Sequence, residues 1–513
     1  MTRRLRWELM VLLVLLGALV GSKAAQYGSS YDFFDPLVDV HHEISRHYVE
    51  PLDAEKLEKM KLGAIGGMLS ELNDPYTDYL SPKILASFDE QTRAVFSGVG
   101  AEIQKQPGGD FVMVVTPLED SPALQAGLKA GDTILAIDGQ SAQGLSVEEV
   151  QQKIKGPEGT RVRLKVRHAD GQEAELEIVR RRIQIQTVKG FRRKQDQHWD
   201  YILDAKEGVA YIRLTQFSEP TTAGLKAAIE SARQAGMKGL ILDLRFNPGG
   251  LLDQAVEIAD LFLPEGKIVS SKGRNRNEQV WSARSGNDAG DFPIAVLINE
   301  SSASASEIVA GALKDNQRAV IIGTRSYGKG SVQEIHALPG GSGAIKVTTA
   351  WYYLPSGRNL HRKEGADVWG VDPNDGFYVP MTLEQIEKMN EMRLNSDVLR
   401  DRNGDKLGEP MTAQYIEQEL SDPQLAAAYK ALVGRLQTGK FQPVGQSNAT
   451  LLAHLTEKAA LERARTRLQQ EMARLDERLK QVQEKISGIE APPAQEAQAK
   501  EDTRQAAPAG VAP

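Results

Sequence analysis

The 513-residue chain contains no cysteine, which excludes structural disulfides and thiol catalysis. A strong excess of either charge is missing too: 62 basic residues stand against 69 acidic ones, and a net charge of −7 gives no reason to expect a nucleic-acid partner. Histidine is sparse, eight in all and scattered except for His41, His42 and His47. That trio lies in an N-terminal helical stretch and reads as a solvated or packed helix face rather than a metal site. No metal or cofactor is implied. A phosphate loop is nearly present in Gly323-Thr-Arg-Ser-Tyr-Gly-Lys-Gly330 but fails at its last position. Gly330 stands where a hydroxyl must meet Mg²⁺, and Ser331 comes one residue late, so the chain reads as using no ATP.

Long apolar runs are also missing. Leu9 to Val20 spans twelve residues, with Glu8 at its edge, which is short for a membrane span. Arg3, Arg4 and Arg6 precede it, and Ser22-Lys23-Ala24 follows with small residues at the −3 and −1 positions of a cleavage site. Residues 1–26 therefore read as a secretory signal peptide, with a retained membrane anchor as the alternative. Either way the expected location is exported: periplasmic or cell-envelope, or anchored to an inner membrane through the N-terminus.

An apolar content of 41% against 26% charge suffices for a substantial core, and the length suggests about three to four units. Residues 27–92 read as a helical region, including an amphipathic stretch from Leu57 to Leu72 that ends at a turn in Asn73-Asp74-Pro75-Tyr76-Thr77. Residues 93–182 form a second unit, with a strand at Arg161 to Arg167. Residues 183–380 carry strands alternating with helices: Val209 to Leu214, a helix from Thr221 to Gln234, Gly239 to Leu244, a helix from near Leu251, Ile294 to Ile298, and a helix over Glu307 to Leu313. That alternation argues for an α/β core. Residues 381–446 read as helices and loops without a clear role. In residues 447–490, Leu468, Met472, Leu475, Leu479, Val482, Ile486 and Ile489 alternate four- and three-residue steps, the coiled-coil pattern. The stripe has two readings, self-association or packing on the chain's own surface. The tail 491–513, rich in Ala, Pro, Gln and Glu, reads as disordered.

Chemistry concentrates around Ser304. It sits in Ser301-Ser302-Ala303-Ser304-Ala305-Ser306-Glu307, and 25 residues later Lys329 appears in Tyr327-Gly328-Lys329-Gly330-Ser331-Val332-Gln333. A hydroxyl needs a base to become a nucleophile, and a lysine serves only where its surroundings favour the neutral amine. Ser304 falls at a strand-to-helix turn, where the Ala305 amide carries partial positive charge and has no helical acceptor. Asn247-Pro248-Gly249-Gly250, after another strand, offers a second close backbone donor. Each piece also has an ordinary reading. Ser304-x-x-Glu307 is a capping-box signature, and a lysine in a glycine-rich turn is usually a surface charge.

Together these residues, with Leu354-Pro-Ser-Gly-Arg358 downstream, resemble the carboxyl-terminal processing proteases, the tail-specific S41-type serine endopeptidases. The resemblance runs from about Val38 to about Pro380. It implies a crotonase-like protease core with an inserted PDZ domain, Ser304 as nucleophile, Lys329 as general base, Gln333 orienting the lysine, and the amides of Ala305 and Gly250 as the oxyanion hole. Asp315 matches a position sometimes implicated in the family; its other reading is a polar residue near a helix C-terminus. Phe96-Ser97-Gly98-Val99-Gly100-Ala101-Glu102-Ile103, followed by Ser121-Pro-Ala-Leu-Gln-Ala-Gly127-Leu-Lys-Ala-Gly131-Asp132, looks like a PDZ domain. Its carboxylate loop would be Ser97, Gly98, Val99, Gly100 and Ala101. Arg167 is a candidate sensor of that carboxylate by position, or else an ordinary strand-edge charge. The implied partners are proteins or peptides with free C-termini, and an adaptor or activator protein is a further candidate.

The expected function is an exported, ATP-independent serine endopeptidase that selects substrates by their C-termini. A non-catalytic PDZ adaptor on a protease-like scaffold is the alternative. An enoyl-CoA-type enzyme on the same core would need an acid-base carboxylate pair that has no counterpart here.

Overall fold

The computed structural model describes residues 32–105, 108–194, 198–284, 289–363, 366–398, 411–447 and 449–490. The expected targeting segment at 1–26 and the tail at 491–513 lie outside the described residues. The chain divides into two units, 1–79 and 80–513.

The first unit holds two helices, Asp35–His47 and Ala54–Ser70. Asp53 caps the second by accepting from the Lys56 amide at 2.8 Å, satisfying one of the amides that a helix start leaves unpaired. The turn expected after it is built by Asp74, which accepts from the Tyr76 amide at 3.0 Å and the Thr77 hydroxyl at 2.6 Å.

The second unit is organised around a parallel sheet in the order Val209–Leu214, Gly239–Asp243, Ile294–Ile298, Val320–Gly323. Val188–Lys189 and Ile202–Asp204 add antiparallel pieces on the free edge of the first strand. These strands read as continuous apolar runs because both faces are covered. Ala210, Ile212, Leu214, Leu240, Leu242, Ile294, Val296 and Ile298 point to one side, onto the helices Thr221–Gln234, Leu252–Phe262 and Ala305–Asp315. Val209, Tyr211, Ile241, Ala295, Leu297 and Ile322 alternate to the other side. There the helix Pro423–Thr438 supplies Leu425, Ala426, Ala427, Ala428, Ala431 and Leu432. Residues 381–446, left without a role by the sequence, thus contain the layer that buries the second face of the sheet.

A second, antiparallel sheet contains Lys267–Gly273, Arg276–Ser282, Ser331–Ala337 and Ala344–Tyr353. Its Val332, Ala350 and Tyr352 join the first core cluster.

Residues 101–179 build a separate antiparallel sheet in the order Ala101–Lys105, Val112–Pro117, Thr133–Ile137, Arg161–Arg167, Glu173–Val179, with its own core that includes Val112, Val114, Ile134, Val150 and Val166. In Arg161–Arg167 the valines and leucine are buried while the alternating arginines and lysine are exposed, the period-two pattern of a half-buried strand. The chain enters and leaves this body through neighbouring strands. Val95–Gly98 pairs antiparallel with Arg181–Gln184, so the intervening residues form an insertion on a two-stranded stalk. The α/β class expected from the sequence is observed.

The last helix runs from Ala449 to Glu490, 42 residues. Among the described residues no helix is long and apolar enough to cross a membrane.

Candidate active site

Ser304 lies where the buried strand Ile294–Ile298 turns into the helix Ala305–Asp315. Its φ of 55° and ψ of −113° place a non-glycine residue in a region that side chains rarely adopt. Such strain persists only where surrounding bonds over-determine it, and here they do. Asn299 Oδ1 accepts from the amides of Phe246 at 2.9 Å and Ser301 at 3.2 Å. The Ser302 hydroxyl donates to Leu244 O at 2.8 Å, and the Ala303 amide to Asn247 O at 3.0 Å. The serine turn is thereby stitched to the loop 244–250.

That loop touches Ser304 directly. A Cβ added to Gly249 would lie 2.7 Å from Ala303 O, 2.8 Å from Ser304 Cβ and 2.9 Å from Ala305 N, and Gly249 has a φ of +96°. Only glycine fits. The Gly249 amide is taken by Asn247 Oδ1 at 2.9 Å, while Gly249 O and the Leu251 amide pair with Phe217. Among the described residues the amides of Gly250 and Ala305 have no acceptor. Two unpaired donors therefore flank the serine, one from the glycine loop and one from the first turn of a helix.

The buried Glu307 links Ser304 to the loop that carries Lys329. Its Oε2 accepts from the Ser304 amide at 2.7 Å and the Lys329 amide at 2.9 Å; its Oε1 accepts from the Ser326 hydroxyl at 2.6 Å and the Gly328 amide at 2.7 Å. Burial pushes its carboxyl upward, the four donors pull it back, and the net position stays above the ordinary range. The loop that nearly matches a phosphate-binding motif thus turns two of its amides onto a carboxylate. The Tyr327 amide adds a bond to Ser302 O at 3.0 Å.

Gln333 sits on the strand Ser331–Ala337, four residues beyond Lys329, and its Nε2 donates to Thr348 Oγ1 at 3.2 Å across the hairpin. Asp315 is not near Ser304. It ends the helix that Ser304 begins, about 16.5 Å away at 1.5 Å rise per residue. Its carboxylate accepts from the Ser356 amide at 3.0 Å, holding the Leu354–Arg358 turn.

The glycine loop is backed by an ionic cluster whose centre, Asp243 and Arg245, has no exposure. Arg245 donates to Asp243 Oδ2 at 2.7 Å and to Asp422 at 2.7 and 2.8 Å, with Gln424 Oε1 at 3.2 Å. Arg393 reaches Asp243 at 2.6 Å, and Tyr211 donates to the same oxygen at 2.8 Å. Burial opposes charge on Asp243, yet Arg245 and Arg393 outweigh it and hold this carboxyl well below the usual range. Asp422 and Arg393 come from residues 381–446, so that region also anchors the strand end from which the glycine loop springs.

In the inserted body, the strand Ala101–Lys105 is an edge strand. Between it, the helix Val147–Ile154, the helix Pro82–Arg93 and residues 185–189 lies a groove of about 620 Å³, whose walls include Val99, Gly100, Ile103, Ile154, Glu90 and Gln186. Val99 O and Gly100 O bind the amides of Ala123 and Leu118 at 2.9 Å each, and among the described residues the Val99 and Gly100 amides have no acceptor. Gly100 has a φ of +80° and packs against Ser121. Ser97 does not offer its hydroxyl to the groove; it donates to Gly156 O at 2.7 Å. Arg167 takes no part in lining the groove and pairs with Glu173 at 2.9 Å across its own hairpin. Its strand is an inner one, paired with Thr133–Ile137 on one side and Glu173–Val179 on the other, and Arg167 ends it.

Residues 208–375 match the family model described as peptidase family S41, residues 113–168 that of the PDZ domain, and residues 18–83 that of the activating protease CtpB N-terminal domain. A carboxy-terminal-processing protease from Bartonella bacilliformis is 37% identical over 416 residues, covering 79% of this chain and 89% of that one. The chain belongs to peptidase family S41. The carboxy-terminal processing protease CtpA of Bacillus subtilis is 35% identical over 347 residues, 67% of this chain and 70% of that one. A solved photosystem II D1 C-terminal processing protease shares 30% identity over 67% of this chain and 92% of its own, with a TM-score of 0.38. This S41 peptidase is a serine-type carboxyl-terminal processing protease with a PDZ domain.

Sequence reasoning singled out Ser304, Lys329 and the glycine loop of this S41 peptidase as candidates but missed four supports. Glu307 was visible only as a capping residue. Asn247, bonding through both ends of its amide, and Asn299, accepting two backbone amides through Oδ1, carried no signal beyond their presence in turns. Asp422 lies 177 residues from Arg245, and a charge in a helical region does not announce so distant a partner.

Proposed function

We propose that this S41 peptidase cleaves peptide bonds through a Ser304–Lys329 dyad and an acyl-enzyme. Ser304 Oγ attacks the scissile carbonyl while the neutral Lys329 amine takes its proton; the amine returns that proton to the leaving nitrogen, and water then releases the acyl group by the same route in reverse. The amides of Ala305 and Gly250 receive the developing oxyanion. Gln333 holds the strand that follows the lysine and orients it. The observation that carries this reading is the single carboxylate of Glu307, which bonds the backbone of both dyad residues and so fixes their segments against each other.

The PDZ groove takes the substrate's C-terminus as an added strand on Ala101–Lys105, with the terminal carboxylate on the Val99 and Gly100 amides. Substrates on this reading are exported proteins with accessible, unstructured tails, and the N-terminal segment directs the enzyme itself out of the cytoplasm. The heptad helix carries self-association or an adaptor.

The direct test compares the enzyme with Ser304→Ala and Lys329→Ala on an unstructured protein substrate. Each substitution should lower cleavage by at least about 10³-fold while leaving the fold intact, and intact-mass spectrometry under acid quench should find an acyl adduct on Ser304 in the unsubstituted enzyme. No cleavage by the unsubstituted protein, with its cellular function unchanged in Ser304→Ala, would instead favour the adaptor reading.

A further inference from the structure

On the face of the parallel sheet that carries Tyr211, a cavity of about 40 Å³ lies between the strand Val209–Leu214 and the helix Leu383–Asp397. Its walls include Phe191, Tyr211, Arg213, Met392, Arg393 and Asp397. Two ion networks meet there. In one, Arg245 and Arg393 face Asp243 and Asp422, two cations for two carboxylates. In the other, Lys189 and Arg213 share Asp397. Lys189 Nζ donates to Oδ2 at 2.7 Å, and one terminal nitrogen of Arg213 reaches both carboxylate oxygens at 2.6 and 2.8 Å.

The second network holds two cations for one carboxylate, so one positive charge is left over. The side chains of Arg213, Asp397 and Lys189 are only 13, 16 and 22% exposed, and charges so placed are screened far less than surface ones. The same network has an unmet hydrogen bond. Arg213 Nε is buried and has no acceptor among the described residues. A buried charged donor left unpaired is costly, and such groups in folded proteins are normally matched by a water or an ion.

We infer that this cavity binds a small monovalent inorganic anion, chloride in ordinary salt solution, held by Arg213 with Arg393 beside it. The anion accepts from Nε and cancels the surplus charge, whereas a water supplies only the acceptor. Size narrows the choice. One water takes about 10 to 15 Å³ of such a cavity, so 40 Å³ admits a halide with a water or two and excludes a phosphorylated metabolite or a peptide. The site also has a short connection to the catalytic loop. Leu214 O, next to Arg213, accepts from Asn247 Nδ2 at 2.8 Å, and Asn247 Oδ1 holds the Gly249 amide at 2.9 Å. The ion thus fastens the helix to the strand end that supports the glycine loop and takes no part in the chemistry.

The test compares thermal unfolding of the full chain in sodium chloride and in sodium gluconate at equal ionic strength, gluconate being too large for the cavity. Chloride should raise the melting temperature by about 2 to 4 °C, the rise expected of one ion at about ten times its dissociation constant. Arg213→Met leaves Lys189 balanced by Asp397 and should abolish the difference, while Asp397→Asn leaves two cations without a carboxylate and should enlarge it. A general effect of salt on burial would move all three proteins alike. Crystals grown in sodium bromide should show an anomalous peak within hydrogen-bonding reach of Arg213 Nε, a readout that stands even where Arg213→Met fails to fold. Equal chloride responses in the three proteins, or a water where the bromide should be, overturn the inference.

Discussion

The amides of Ser304 and Lys329 donate to one and the same atom, Oε2 of Glu307, at 2.7 and 2.9 Å. Two segments 25 residues apart are thereby locked at a fixed separation by one buried carboxylate. Glutamine at 307 would keep the shape but turn an N–H₂ group toward backbone donors, so at least one of the two pairs must open. Misplacement by about 1 Å of a group that positions chemistry costs on the order of 10²-fold. Glu307→Gln should therefore lower kcat by about that factor with KM little changed and the circular dichroism spectrum retained. An unaltered kcat would show that the dyad is positioned by other contacts.

The same residue gives a pH signature of stability. Burial raises the Glu307 carboxyl above its ordinary value of 4.5 despite the opposing hydrogen bonds. The folded state then holds a proton that the unfolded state gives up. This group's contribution is fully present below about pH 4.5 and is lost as pH rises through the folded value. Glu307→Gln carries no such titration. Urea midpoints of the two proteins, measured from pH 4 to pH 8, should show the unsubstituted enzyme losing ground to the variant as pH rises, then levelling off. A constant difference across that range would refute the shift.

Gly249→Ala tests the contact between the glycine loop and the serine turn. The new methyl meets Ala303 O, Ser304 Cβ and Ala305 N within 3 Å, at a φ of +96° that disfavours any side chain. The loop must retreat, costing about 1 to 3 kcal/mol in stability and removing the Gly250 amide from the position of the oxyanion. Loss of one such donor lowers kcat by about 10²- to 10³-fold. Steady-state kinetics alongside thermal unfolding separate the two effects; a fall in melting temperature with full activity would remove Gly250 from the oxyanion hole.

Asp422→Ala should be among the most damaging single changes outside the site. It strips two hydrogen bonds from Arg245, a guanidinium with no exposure, and leaves that charge with Asp243 alone. Breaking a buried pair by removing one partner typically costs about 3 to 5 kcal/mol. Urea unfolding should show a loss of that order, whereas Lys430→Ala, on the helix Pro423–Thr438 and at an exposed pair with Glu417 of the helix Ala413–Gln418, should change little.

The difference between these residues and the ones found from sequence is a difference of range. The strand Val209–Leu214, the helix Thr221–Gln234 and the strand Ile294–Ile298 were legible because local apolar runs and periodicity carry their own boundaries. Ser304 and Lys329 stood out as candidates because a hydroxyl at a strand-to-helix turn and an amine in a glycine-rich loop 25 residues on fit one chemistry together. Glu307 was hidden by degeneracy: a serine three residues before a glutamate has the same signature whether the carboxylate caps a helix or also clamps a second loop. The helix Pro423–Thr438 was hidden by composition, since Ala426, Ala427, Ala428 and Ala431 give little contrast between faces while fitting closely against the sheet. Arg167 and Arg213 show the remaining gap, because charge along a chain does not tell which lysine or arginine the fold turns toward a groove or a cavity.

Self-association through the last helix is the prediction with the widest consequence. Leu468, Met472, Leu475, Leu479, Val482 and Ile486 are all exposed along the helix Ala449–Glu490, so among the described residues nothing buries the stripe. Fully burying one such side chain stabilises by about 1.5 to 3 kcal/mol, and a two-stranded coil would bury the set twice over. Leu475→Asp together with Leu479→Asp should weaken association by at least about 100-fold, converting a concentration-dependent sedimentation profile into that of a monomer. The catalytic unit should remain folded, because neither residue belongs to its core clusters. If the stripe instead packs back onto its own chain, sedimentation will not depend on concentration and the double substitution will lower the melting temperature without changing mass.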